Sequence, residues 1–259
     1  MLPAFALVRP TFSAARSWYD SFQWSLRMLP THGLNFLASY TLGHAVDHVS
    51  GLNIGGEARP VLPVVQGDQA SLDRALSYEK GEALFDVRHR FVLSFGYALP
   101  TFEGKAPLLK HVAGGWQVNG IFQAQTGTPL TVVETTLDIR YMTSRPDMTC
   151  DANDGPKTTA QYFNTSCFSR LSLAQTGERP GNAGRNTVRG PGFNRTDLSL
   201  FKNIQITKAQ RLQLRLEAFN IWNQERFGQP GNQIGTPNFG VITTSDDGRI
   251  VQLGLRYTF

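Results

Sequence analysis

The stretch that decides the fold is residues 249–259, RIVQLGLRYTF. Val251, Leu253, Leu255, Tyr257 and Phe259 fall on one side of an extended chain, and Ile250, Gln252, Gly254, Arg256 and Thr258 fall on the other. A two-residue period is that of a β-strand; a helix would spread both sets around its circumference. Residues 211–219 (RLQLRLEAF) repeat the pattern, with Leu212, Leu214, Leu216 and Ala218 opposed to Arg211, Gln213, Arg215 and Glu217.

The same alternation recurs upstream. Residues 17–29 set Trp18, Phe22, Trp24, Leu26 and Met28 against Ser17, Gln23, Ser25 and Arg27. Residues 33–41 oppose Leu34, Phe36, Ala38 and Tyr40 to Asn35, Ser39 and Thr41. Residues 88–99 carry Phe91, Leu93, Phe95 and Tyr97 on one face, and 115–125 place Trp116, Val118 and Phe122 opposite Gln117, Asn119, Gln123 and Gln125. Residues 194–206 alternate less cleanly, around Leu198 and Leu200. Seven strands are expected. Their connections alternate in length: tight at 30–32 and 207–210, moderate at 100–114, and long at 43–87, 126–193 and 223–248. All the long connections therefore fall at one end of the sheet. Up-and-down barrels of the bacterial outer membrane have this asymmetry, and soluble sandwiches have no reason for it.

Composition agrees. The chain has 259 residues, of which 41% are hydrophobic and 17% charged, with 25 glycines and 14 prolines. A soluble domain carries about 25% charged residues. Mean hydropathy is −0.24, and no apolar run approaches the roughly 20 residues of a transmembrane helix. The stretch 1–8 (MLPAFALV) lacks the basic start of a secretory signal. The 25 Lys+Arg exceed the 20 Asp+Glu by five, but the basic residues are scattered rather than gathered with aromatics into a nucleic-acid footprint, so no nucleic-acid partner is expected. Lumen and loop arginines account for the basicity better. The fold class expected is all-β: about seven antiparallel transmembrane strands of an up-and-down barrel, with long extracellular loops.

A family resemblance runs through these strands. Gly181-Asn182-Ala183-Gly184-Arg185-Asn186 leads to Arg189-Gly190-Pro191-Gly192-Phe193, then to Asp197-Leu198-Ser199-Leu200-Phe201-Lys202-Asn203, Glu217-Ala218-Phe219-Asn220 and Pro237-Asn238-Phe239-Gly240. With Trp18-Tyr19-Asp20-Ser21-Phe22-Gln23, Gly33-Leu34-Asn35-Phe36, Ala38-Ser39-Tyr40-Thr41 and Phe85-Asp86-Val87-Arg88-His89-Arg90 upstream, this succession resembles the C-terminal barrel portion of TonB-dependent outer-membrane receptors of the Oar-like, acidobacterial type. Residues 100–110 and 133–175 match it poorly. The resemblance implies a barrel of about twenty-two strands, a plug domain and a TonB-contacting box. Residues 1–259 would then be the C-terminal part of such a barrel, without plug, box or signal peptide. It also implies energy-coupled uptake of a bulky substrate such as a sugar, siderophore, cobalamin-like cofactor or peptide, with TonB engaged only through the N-terminal part. Leu253, Leu255, Tyr257 and Phe259 resemble the terminal strand by which the barrel-assembly machinery recognises such proteins, and outer-membrane lipid is the other expected partner. The rivals are a small self-standing pore or adhesin, with an eighth strand in 1–15 or 61–66, and a secreted all-β binding module.

Candidate sites are few. His44 and His48 flank Asp47 at helical spacing, but no cluster supplies the three protein ligands of a catalytic zinc site, and no metal is expected. Asp86, Arg88 and Arg90 would share a strand face beside His89 and form an ion-paired ladder; no nucleophile with an adjacent base is visible, so neither enzymatic activity nor a cofactor is expected. The Gly- and Arg-rich stretch 181–192 lacks the Lys-Ser/Thr ending of a phosphate loop; its Arg185 and Arg189 are candidates for contact with an anionic ligand or lipopolysaccharide. Cys150 and Cys167 share the longest loop, and in an envelope protein such a pair implies a disulfide, contributing about 3 kcal/mol.

Overall fold

The computed structural model describes residues 13–50, 62, 64–65, 67–100, 112–134, 145–171 and 179–259. Its long strands are β1 (Ser17–Thr31) and β2 (Leu34–Asp47), then, after the helix α1 (Gln69–Glu79) and the two-residue β3 (Gly81–Glu82), β4 (His89–Ala98) and β5 (Trp116–Gln125). Four further two-residue strands, β6 (Pro129–Leu130), β7 (Asp147–Met148), β8 (Phe168–Ser169) and β9 (Val188–Arg189), precede the last three long ones: β10 (Phe193–Gln205), β11 (Arg211–Phe219) and β12 (Ile250–Thr258). The seven long strands form one antiparallel sheet in the order β1-β2-β4-β5-β10-β11-β12, with β3 added beside β2. The sheet is open. The proposed eighth-strand segment 61–66 is only partly within the described residues, and 1–12 lies outside them.

Register fixes the two faces. Met28↔Phe36↔Phe95↔Gly120↔Leu198 is one row of directly paired residues on the apolar face, and it continues through Leu198↔Ala218↔Val251. The opposite face carries rows such as Gln23↔Thr41↔Arg90↔Gln125 and Ser199↔Glu217↔Gln252. Residues directly paired across a ladder share a face, so each strand inherits its orientation from its neighbour. The loose alternation of β10 has two local causes. Lys202 lies on the apolar face, where it donates to the Val112 carbonyl at 3.0 Å and also to that of Gly114. Phe201, on the polar face, lies 5.1 Å beneath the Arg215 guanidinium.

β2 runs on to Asp47, past the expected end at Thr41, because the β1–β2 register continues to Ser17↔Asp47. Gly43 and Ala45 are small enough for the wide Tyr19 ring to lie across this extension, the ring's Cε2 meeting an ideal Gly43 Cβ at 3.3 Å. At the other end the β1–β2 hairpin closes through His32 (φ 51°) and Gly33 (φ 83°), the pair of left-handed residues that a tight hairpin of this hand requires. A Cβ on Gly33 would also sit 2.3 Å from the Ala98 carbonyl oxygen.

Among the described residues no second layer covers the apolar face of the sheet. Leu253 is 83% exposed and Phe22 63%, values incompatible with a soluble sandwich. The core lies instead in the long connections at one end. Phe163, Val132, Val188, Cys167 and Phe168 are buried there, with Met148, Ile234 and Phe239 packed against them. Phe163, Phe168 and Phe239 meet edge to face, at centroid separations of 5.3 to 6.1 Å.

Candidate functional site

The described parts of the three long connections fold together into a cap on the rim of the sheet. α1 begins at Asp68, whose carboxylate accepts the Ala70 N–H at 3.0 Å, the N-cap role that favours aspartate there. Ser71, Ala75 and Glu79, four residues apart, form its buried stripe. Two arginines from the 126–192 connection meet its C-terminal end. Arg145 donates to the Tyr78 carbonyl at 2.8 Å and to the Glu79 carboxylate at 3.0 Å, and its guanidinium stacks 3.9 Å over the Tyr78 ring. Arg185 donates through Nε to the Glu79 carbonyl at 2.8 Å and through Nη2 to the Asp47 carbonyl and carboxylate. Cations at a helix C-terminus satisfy its orphan carbonyls and oppose its dipole. The Tyr78 hydroxyl donates to the Gly181 carbonyl at 2.7 Å, and burial pushes this phenol above its ordinary pKa.

A second group of charges lies beside the first. Arg189 bridges Glu82 and Asp86, reaching the latter at 3.0 Å, and donates to the Gly127 carbonyl at 3.0 Å. Arg88 donates to Glu82 at 2.5 Å, and Asp86 accepts the Ala45 N–H at 2.6 Å. Asn186 donates to the Glu82 carbonyl and accepts from Thr131, which ties β3 to the β6 region. Between these groups and the Cys150 region lies an open cleft of about 750 Å³, whose lining includes Lys80, Glu82, Asp151, Asn153, Thr187 and Arg189.

The residues singled out from the sequence distribute as follows. Cys150 and Cys167 are joined, with their Cα atoms 5.1 Å apart, and the bond staples the β7–β8 hairpin. Arg189 reaches the cleft with a quarter of its side chain exposed, whereas the Arg185 side chain is 1% exposed and turned inward onto Asp47. Arg185 is thus a structural clamp and presents no guanidinium to an outside ligand or lipopolysaccharide. The expected Asp86-Arg88-Arg90 ladder does not form. β4 begins only at His89, so Asp86 and Arg88 lie in the preceding turn while Arg90 points to the polar face, paired with Thr41 and Gln125. His89 sits on the apolar face, its Nδ1 2.8 Å from the Tyr40 hydroxyl.

His44, Glu82 and Asp86 bring one ligand atom each within 4.8 Å of one another. Both carboxylates already receive Arg88 or Arg189, so a cation there would displace a guanidinium. His48 stands apart from this group: its Nδ1 accepts the Arg16 N–H at 3.2 Å. Burial first, then the charges of Arg185, Lys80 and Arg16, hold it below the ordinary histidine value. Leu253, Leu255, Tyr257 and Phe259 line the exposed terminal strand, with the Tyr257 and Phe259 rings stacked at 5.8 Å. Sequence reasoning missed α1, Glu79, Glu82 and Arg145, and placed Asp47 only between two histidines rather than against Arg185. Of these only Glu82, six residues from Arg88, carried a local signal.

A single-layer antiparallel sheet, apolar and bare on one face, polar on the other, turned tightly at one end and capped by folded loops at the other, defines an integral outer-membrane β-barrel protein. Residues 1–252 match the outer membrane beta barrel domain family, and the chain belongs to it. The apolar face accordingly meets lipid in the bacterial outer membrane, the polar face looks into the lumen, and the cap is extracellular. No curated protein matches the chain.

Proposed function

We propose that the chain supplies barrel wall and extracellular loops to a TonB-dependent receptor of the Oar-like type, which takes up a bulky substrate with energy passed from the inner membrane. One observation carries the reading. β1 and β12, the two free edges, both run from the cap end to the short-turn end, because six antiparallel steps separate them. Pairing them directly would make a parallel ladder, and so would pairing β12 of one copy with β1 of another in the same membrane orientation. An antiparallel barrel closes over this gap only with an odd number of further strands, and an open edge is not tolerated in lipid. The motif succession from Trp18 to Gly240 supports the same reading, and in it the cleft beside Arg189 belongs to substrate capture. The terminal strand through Phe259 serves recognition by the barrel-assembly machinery, and TonB is engaged by parts of the receptor outside these residues.

The test is a cysteine pair on the free edges, Ser25→Cys with Gly254→Cys, oxidised in outer membranes after the native pair is replaced by serine. No β1–β12 cross-link is expected, and one that forms would show the two edges closing on each other without further strands, which overturns the receptor reading. Uptake that persists after the inner-membrane proton gradient is collapsed would remove the energy-coupled role.

A further inference from the structure

The lumenal face is strongly and unevenly basic. Among the described residues of the seven long strands it carries Arg27, Arg90, Arg195, Arg211, Arg215 and Arg256 against Asp47, Asp197 and Glu217. Asp47 is taken by Arg185 from the cap, and Asp197 by Arg195 at 2.9 Å. That leaves Glu217, which accepts from Gln252 at 2.5 Å rather than from an arginine.

Three of the arginines are neighbours. Arg256 pairs directly with Gln213, and Arg211 and Arg215 stand two residues to either side of Gln213 on the same face. Such diagonal positions are about 7–8 Å apart, within reach of long side chains. None of the three forms an ion pair among the described residues. Arg211 donates to Gln205 and Arg215 to Gln213, each through Nε alone, and the Phe201 ring under Arg215 holds that guanidinium over the sheet. Gly254 leaves the space beside Arg215 open: a Cβ there would meet the arginine's own Cβ at 3.5 Å. Like charges facing one another across a ladder are destabilising, and rings of arginine are how pores favour anions and phosphate.

From this geometry we infer that Arg211, Arg215 and Arg256 form a lumenal binding surface for a polyvalent oxyanion, a solute bearing several phosphate or carboxylate groups. The inference rests on the reading of this sheet as transporter wall, and names the charge class of what passes along it. The arginine fork matches both oxyanions bidentately. Phe201 fixes the Arg215 fork in place, and the forks of Arg211, beside it on β11, and of Arg256, on the edge strand β12, close on a ligand as it arrives.

Isothermal titration of the intact protein that contains these strands, in non-ionic detergent micelles, tests it, with inorganic pyrophosphate and citrate as probes and sucrose as the neutral control. Saturable binding of at least one oxyanion is expected, weakened by added salt and absent for sucrose. Each of Arg211→Gln, Arg215→Gln and Arg256→Gln should lower the affinity about tenfold, with partial recovery in the matching lysine variants. Arg90→Gln, on the same face but on β4, should leave it unchanged. Retained heat-modifiable gel mobility establishes that each variant is folded. Absence of saturable binding by folded wild-type chain, or equal affinity in the triple glutamine variant, overturns the inference while leaving the strand-direction reading intact. A β1–β12 cross-link would overturn that reading while leaving the binding result standing.

Discussion

Arg185 and Asp47, 138 residues apart in the chain, form an ion pair in which neither side chain is more than 3% exposed. One end is the last residue of a membrane-crossing strand and the other belongs to the extracellular cap, so this contact ties the cap to the sheet beside the β2–β3 pairing and the Ala45–Asp86 bond. The Arg185 guanidinium depends on Asp47 and on the Glu79 and Asp47 carbonyls for its solvation, and the Asp47 carboxylate on Arg185 and the Ser50 hydroxyl, which donates to it at 2.9 Å. Removing either partner leaves the other buried and uncompensated, which costs about 3–5 kcal/mol. Arg185→Ala and Asp47→Asn should therefore each release the cap, seen as faster protease cleavage in the 67–88 and 145–171 segments, while the heat-modifiable barrel signature persists. The double variant Asp47→Leu/Arg185→Met should be less damaging than either single one, because no charge is then stranded.

Acid should loosen the cap at a second point. Asp147 accepts from both terminal nitrogens of Arg179, at 2.8 and 2.6 Å, and from the Asn182 N–H at 3.0 Å. These bonds, Arg179's first, hold its carboxyl below the ordinary aspartate value. A carboxyl depressed in the folded state contributes stability above its unfolded pKa and loses it as pH falls toward the depressed folded value. Thermal melts of the cap should decline across that acidic window, and the decline should shrink in Asp147→Asn.

Glu134 has the opposite sign. Burial raises its carboxyl above the ordinary glutamate value, against the Leu171 N–H bond and the charge of Arg170. A carboxyl raised in the folded state favours folding at low pH, and that contribution is lost as pH rises through the folded value. Glu134→Gln should consequently stabilise the cap at neutral pH and have little effect in acid. A neutral-pH melt of Glu134→Gln at or below the wild-type value would contradict this.

Reduction tests the staple. Cys150 is exposed while Cys167 is fully buried in the Phe163 cluster, so a reductant reaches the bond from the Cys150 side. Cys150→Ser/Cys167→Ser, or wild type in dithiothreitol, should lower cap stability by about 3 kcal/mol. Hydrogen exchange should rise across 147–169 and remain unchanged in β10–β12.

The strands were legible in the sequence because each carries its own two-residue alternation, and no partner is needed to read it. Their extents were not. β2 continues through Gly43, His44 and Asp47, which look like loop residues until the Tyr19 ring and Arg185 are placed against them. The cap was illegible for a different reason. Of the four guanidinium contacts that fix α1 and β3, those of Arg145, Arg185 and Arg189 come from 66, 106 and 107 residues downstream. Neither end of such a pair has a pattern of its own. α1 is short, and its buried stripe contains Ser71 and Glu79, so it lacks the apolar periodicity that announces a helix.

Two adjacent residues of β12 give the sharpest test of which face meets lipid. Leu255 is paired with Leu214 on the bare apolar face, and Arg256 with Gln213 on the polar one. An arginine on the lipid side of an outer-membrane barrel costs about 2–4 kcal/mol at mid-membrane depth, whereas lumenal substitutions alter selectivity with little effect on stability. Leu255→Arg should therefore cut the yield of heat-modifiable protein in outer membranes and shift the denaturant midpoint in detergent by that amount. Arg256→Leu, one residue away and the larger chemical change for a water-filled lumen, should insert and fold as wild type does. If Arg256→Leu fails while Leu255→Arg assembles normally, the faces assigned to lipid and lumen are reversed.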